Sequence, residues 1–137
     1  MILLISTENN ARFSLAVGQE KISKIKVVEK PYHQVELLLK EIDRLIKSKS
    51  GKINLNGIIV VQGPGQFSAL RTGITTANAL AYSLDIPIVG VELKKNWLKL
   101  TEKEKLEKVW QTGFKELKTA KIGTIIIPKY GKEPNIT

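Results

Sequence analysis

Gly63, Gly65 and Arg71 are the residues of this chain whose types and spacing come closest to chemistry. They lie in "QGPGQFSALRTG", residues 62–73, between a β-branched run and a string of small helix formers. A glycine turn that leaves a strand and opens a helix can aim backbone N–H groups and the positive end of the helix dipole at a phosphate. The arginine would be a second anion ligand. The same residues also make an ordinary corner, where the glycines permit the turn and Pro64 stiffens it. Two phosphate signatures are excluded. The Gly-Lys-Ser/Thr ending of a Walker loop is missing, and a dinucleotide fingerprint would need a third glycine where Pro64 interrupts the loop. Ser6 and Ser68 have no base at a readable spacing, so no nucleophilic triad is legible. His33 is the only histidine and cysteine is absent, which leaves no metal-ligand set. His33, close behind Pro31, reads as the flank of a helix, and Trp97, Trp110 and Phe114 read as core. The expected catalytic and metal residues are therefore none.

The elements that must position this loop follow from periodicity. Residues 2–6 form a continuous apolar run, as in a buried strand. Phe13, Leu15 and Val17 alternate with Arg12, Ser14 and Ala16, and a third β-rich run spans Ile22 to Val28. Leu38, Leu39, Ile42, Leu45 and Ile46 then recur at helical spacing, which predicts an amphipathic helix near 32–48. "GIIVV" (57–61) is a short buried strand, a helix is expected from Phe67 to Leu84, and "IPIVGV" (86–91) is the next strand. A meander followed by a strand–helix–strand crossover predicts an α/β fold with a mixed five-stranded sheet. After Val91 the composition shifts to Lys and Glu. Thr101 and Glu104 form a capping box for a further helix, and "TIIIP" is expected to add a terminal strand.

The formal charge of +9 is carried mostly by lysines spread from Lys21 to Lys132, with no run of arginines. Such a surface attracts polyanions, but aromatics are only 6%, so platforms for stacking bases are scarce. "MILLIS" has no basic n-region, and no apolar run reaches the ~18 residues of a membrane helix. The expectation is a cytoplasmic chain with no membrane contact.

"GIIVVQGPGQFSALRTGITTANALAYSLDIPIVGV" resembles the hallmark of TsaB-type proteins, small paralogues within the glycoprotease-like (Gcp/TsaD) superfamily. Gly63-Pro64-Gly65, Phe67, Leu70, Arg71, Gly73, Ala77, Leu80, Ala81, Ile86, Pro87, Gly90 and Val91 carry the likeness. Gln66 and Ala69 replace the usual Ser and Gly. "HQVELLLKEID" and "IIIPKYGKEPNIT" are similar to two further family segments. The resemblance implies an actin/Hsp70-like (ASKHA, RNase H-like) lobe over 1–93. It leaves 94–137 as a strongly reduced second lobe of a helix, a strand and a tail. Ser6-Thr7-Glu8 stands where the family has Asp-Thr-Ser, and loss of that aspartate removes a carboxylate used near Mg²⁺ and phosphate. Weak or no ATP binding is therefore expected.

The role implied by the resemblance is a non-catalytic scaffold. It would pair with a TsaD-like paralogue that threonylcarbamoylates adenosine 37 of ANN-decoding tRNA, with a TsaE-like ATPase as a further partner and tRNA met mainly through the complex. Alone, a homodimer is expected. The small-residue stripe on the second helix suits either packing on the sheet or a seam with another subunit. The expected partner interface comprises Leu38, Ile42, Ala69, Leu70, Gly73, Thr76, Ala77, Leu80 and Ala81. A bulky or charged residue at Ala77 should then abolish pairing while the fold survives. Two rival readings stand beside this one. The chain could be a small actin-like nucleotide-binding enzyme holding phosphates at Gly63, Gly65 and Arg71, or a basic tRNA-binding accessory protein.

Overall fold

A computed structural model describes residues 1–29, 34–47 and 50–130. The chain runs β1 (Ile2–Asn9), β2 (Arg12–Gly18), β3 (Ile22–Val28), α1 (Gln34–Ile46), β4 (Gly57–Gly63), α2 (Phe67–Leu84) and β5 (Ile88–Glu92). A 3-10 turn at Lys95–Lys99 then leads into α3 (Glu102–Leu117). The strands form one five-stranded sheet in the order β3-β2-β1-β4-β5. β1 and β3 are antiparallel to β2, while β1, β4 and β5 are mutually parallel. The mixed α/β sheet expected from the sequence is present.

Strand alternation divides the core in two. Leu3, Ile5, Phe13, Leu15, Val17, Ile58 and Val60 face α1 and α2, where Leu38, Ile42, Ile46, Leu70, Ile74 and Ala77 meet them. Leu4, Ala16, Ile59, Val61, Val89 and Val91 face the other way, onto Trp97, Leu106, Val109 and Trp110. The second core explains a departure from the sequence pattern. Alternation in β2 leaves Ser14 and Ala16 on a nominally polar face, yet both are buried because α3 covers them. Parallel strands buried on both faces need a helix on each.

Residues 94–117, expected as a reduced second lobe, thus complete the second face of the first sheet, and the boundary at 93/94 separates no independent core. The terminal strand is not formed either. Residues 120–130 form no strand; one backbone bond, from Lys129 N–H to the Gln62 carbonyl at 2.8 Å, ties them to the end of β4, and side chains described below add to it. Two local expectations hold. Thr101 Oγ1 accepts from Glu104 N–H at 3.2 Å while the Glu104 carboxylate accepts from Thr101 N–H at 3.1 Å, closing the capping box. α2 stops at Asp85, whose φ of 56° is left-handed; its N–H reaches back to Tyr82 and that of Ile86 to Ala81. His33 and the tail beyond 130 lie outside the described residues.

Candidate functional site

β1 and β4 are parallel, so their C-terminal ends emerge together, at the edge where α/β sheets present their loops. The chain leaves β4 at Gly63 with φ 142°, a conformation that favours glycine, and passes a cis Gly63–Pro64 bond to reach α2. The tail of β1 buttresses this loop. Gln66 N–H donates to the Glu8 carbonyl at 2.9 Å, and the Gln66 side-chain oxygen accepts from Asn10 N–H. Protein atoms fill the open sides of the glycines. A Cβ at Gly65 would lie 2.6 Å from the Glu8 Cβ, and one at Gly73 would lie 1.8 Å from Thr7 Oγ1. The Lys129 carbonyl closes on Gly63 in the same way, so Gly63 and Gly65 both make close contacts with the chain itself. Arg71 is exposed on α2 and takes no part in the charged cluster behind the loop.

That cluster was not legible as a site. Lys105, from the buried face of α3, places Nζ 2.6 Å from Glu8 Oε1 and 2.6 Å from Glu102 Oε1. Ser6 Oγ donates to the other Glu8 oxygen, and Ser14 Oγ donates to Glu102 Oε2 at 2.7 Å, with Arg12 Nε 3.9 Å from that oxygen. Burial opposes the charge of Glu102, but hydrogen bonds from Lys105 and Ser14 and the charges of Lys105 and Arg12 outweigh it. The carboxyl is held below its ordinary value. Burial likewise opposes the Lys105 ammonium, and the Glu8 charge together with Glu102 raises it above its ordinary value. The result is an internal ion triad in which one ammonium serves two carboxylates. Beside it, Thr7 Oγ1 is buried without a hydrogen-bond partner. Glu102 and Lys105 at i,i+3 were a local signal; their union with Glu8, 97 positions from Lys105, was not.

On the opposite side of the sheet, α1 and α2 leave an apolar groove of about 550 Å³ between them. Leu39, Ile42, Ile46 and Ile53 form one wall, and Thr75, Thr76, Ala79 and Leu80 the other. Leu39 is 55% exposed and Ile53 39%. The expected pairing stripe divides here. Leu38, Ala69, Leu70, Gly73, Ala77 and Ala81 are buried against the chain's own sheet. Ile42, Thr76 and Leu80 line the groove. Small residues at Gly73 and Ala77 let α2 approach β1, so a bulky Ala77 variant would overpack this core rather than spare the fold.

A further tether joins α2 to the last described residues. The Asn78 amide accepts from Ile126 N–H and donates to the Ile126 carbonyl, both at 2.9 Å, and Gln62 Nε2 donates to the Ile127 carbonyl at 2.8 Å. Two side-chain amides, with a single backbone bond from Lys129 N–H to the Gln62 carbonyl, thus stand in for a neighbouring strand.

Residues 27–96, just over half of the chain, match the family described as TsaD, tRNA N6-adenosine threonylcarbamoyltransferase. This chain belongs to the TsaD family. Among relatives, the tRNA N6-adenosine threonylcarbamoyltransferase of Geotalea daltonii is 60% identical over 37 residues, 27% of this chain and 11% of that protein. The tRNA threonylcarbamoyladenosine biosynthesis protein TsaB of Bacillus subtilis is 50% identical over 38 residues, 28% of this chain and 17% of that protein. YeaZ from Pseudomonas aeruginosa shares the fold with a TM-score of 0.56 at 21% identity, covering 66% of this chain and 43% of that one. The chain spans less than half the length of each of these relatives. The TsaB-like character within the TsaD superfamily, read from the Gly63–Val91 stretch, agrees with these matches, as does the YeaZ-like, actin-type fold.

Proposed function

We propose that this TsaD-family chain is a non-catalytic subunit of the machinery that makes threonylcarbamoyladenosine in tRNA, and that it pairs with a TsaD-like paralogue through the α1–α2 face. The observation that carries the proposal is the groove. It is apolar and uncovered among the described residues, and its α2 wall is built of Thr75, Thr76 and Ala79, small enough for a second helix to approach closely. The other face of the sheet already has its cover in α3. Absence of catalysis is supported by the corner where the parallel strands end. Its two carboxylates, Glu8 and Glu102, are both engaged by Lys105, and Glu8 closes the side of Gly65. These residues do not suit a magnesium nucleotide, because an internal cation already holds the oxygens a metal would need. The subunit is therefore proposed to work without bound ATP, and the nucleotide-enzyme reading falls behind.

The test is light scattering of the chain alone and mixed with a TsaD-like protein from the same genome. The pairing reading expects a one-to-one complex that is lost in the double variant Leu39→Glu, Ala79→Arg, both at exposed positions, with circular dichroism unchanged. A complex that survives this change would exclude the groove as its seam.

A further inference from the structure

The positive charge of this chain is densest on one face. Residues 94–121 hold nine lysines against four glutamates, a net of +5 out of the total +9. α1 and α2 carry Lys40, Arg44 and Arg71 against Glu36, Glu41 and Asp43, and the connector after α1 adds Lys47, Lys49 and Lys52, so residues 34–84 hold a net of +3 over nearly twice the length. The folded chain puts α3 on the opposite side of the sheet from α1 and α2. Lys105 and Glu102 cancel within the internal triad, which leaves eight lysines against the exposed Glu104, Glu107 and Glu116, still a net of +5. The outward ridge of α3 then reads Lys108, Gln111, Lys115 and Lys118, all exposed, with Lys121 following and Lys94, Lys95 and Lys99 exposed on the preceding turn. At the rise of an α-helix, Lys108 and Lys118 stand about 15 Å apart, enough to meet several successive backbone phosphates.

We propose that the outer face of α3 and the Lys95–Lys99 turn is an RNA-backbone-binding surface that holds tRNA while the less charged α1–α2 face holds the protein partner. The proposal deepens the tRNA-modification reading, although its electrostatics stand without the pairing seam. Because Trp97 and Trp110 are buried, this face offers phosphate contacts and no indole platforms for stacking, so it holds tRNA without reading its bases. Separate faces allow both macromolecules to bind one lobe at once.

The test uses fluorescence anisotropy with an unmodified tRNA transcript across a salt series. The triple variant Lys108→Gln, Lys115→Gln, Lys118→Gln is compared with Lys40→Gln, Arg44→Gln, Lys47→Gln, which removes the same charge from the α1 side. The α3 variant is expected to bind about 10-fold more weakly near physiological salt, with its log–log salt slope flatter by about 2, while the α1 variant stays within about 2-fold of the parent. Equal losses in the two variants would overturn the proposal, as would a parent chain with no salt-dependent tRNA binding. Uptake by anionic phosphatidylglycerol vesicles in place of tRNA would overturn it as well. Light scattering with the TsaD-like protein, run on the same α3 variant, separates the two readings. Pairing should be unchanged, and its failure in the parent with tRNA binding intact would remove the pairing seam alone.

Discussion

Replacing Lys105 with Met should destabilise the lobe by about 2–4 kcal/mol at neutral pH, because it strands two carboxylates that share one ammonium. Removing one partner of a fully buried pair costs roughly 3–5 kcal/mol. The side chains here are 11%, 14% and 19% exposed for Lys105, Glu8 and Glu102, so water relieves part of that penalty. In this size range the loss corresponds to a fall in Tm on the order of 10 °C. The pH dependence carries the signature. Glu102 has a lowered folded pKa, so its contribution is present above the ordinary value of 4.5 and fades as pH falls through the lowered one. Lys105 has a raised folded pKa, so its contribution is full below the ordinary value of 10.5 and is lost as pH rises through the raised one. The gap between parent and variant should be flat from about pH 6 to about pH 9 and narrow toward either extreme. Urea unfolding at several pH values measures it. Adding Glu8→Gln and Glu102→Gln to Lys105→Met should restore much of the loss. Lys47→Met, which breaks an exposed pair with Asp43, should cost less than about 0.5 kcal/mol. A Lys105→Met penalty no larger than that of Lys47→Met would refute the triad as a structural element.

Three further outcomes follow from close contacts elsewhere. Gly73→Ala should destabilise by about 2–3 kcal/mol in chemical denaturation, since the new methyl meets Thr7 Oγ1 at 1.8 Å in a packed core. Thr7→Val, which keeps the shape but removes a buried hydroxyl without a partner, should be neutral or stabilise by up to about 1 kcal/mol in the same assay. Asn78→Ala removes both hydrogen bonds to Ile126, so hydrogen exchange at Ile126 should accelerate at least several-fold while exchange in β1 and β4 is unchanged.

Much of the fold was legible because local pattern and global packing agree. The apolar run at residues 2–6, "GIIVV" and the helical spacing of Leu38, Ile42 and Ile46 each carry the period of the element they form. "TIIIP" misled because β-branched composition announces an extended chain and not its hydrogen-bond partner. Among its isoleucines only Ile126 packs inward, Ile125 and Ile127 are 73% and 69% exposed, and the partners are the Asn78 and Gln62 side chains with one backbone bond from Lys129 to Gln62. The small-residue stripe of α2 was visible, but spacing alone does not say which backbone it approaches. Gly73 and Ala77 turned out to serve β1, and Thr76 the groove. Burial of Ser14 and the Glu8–Lys105 contact were out of reach, since both depend on α3 folding over a strand some ninety positions earlier.

The most direct measurement of the central claim is hydrogen exchange on the chain alone and in a mixture with a TsaD-like paralogue. The account predicts new protection within residues 36–46 and 72–83, around the α1–α2 groove, with exchange across 103–118 unchanged in the absence of RNA. Protection confined to α3, or none at all at concentrations where the paralogue is in excess, would contradict it.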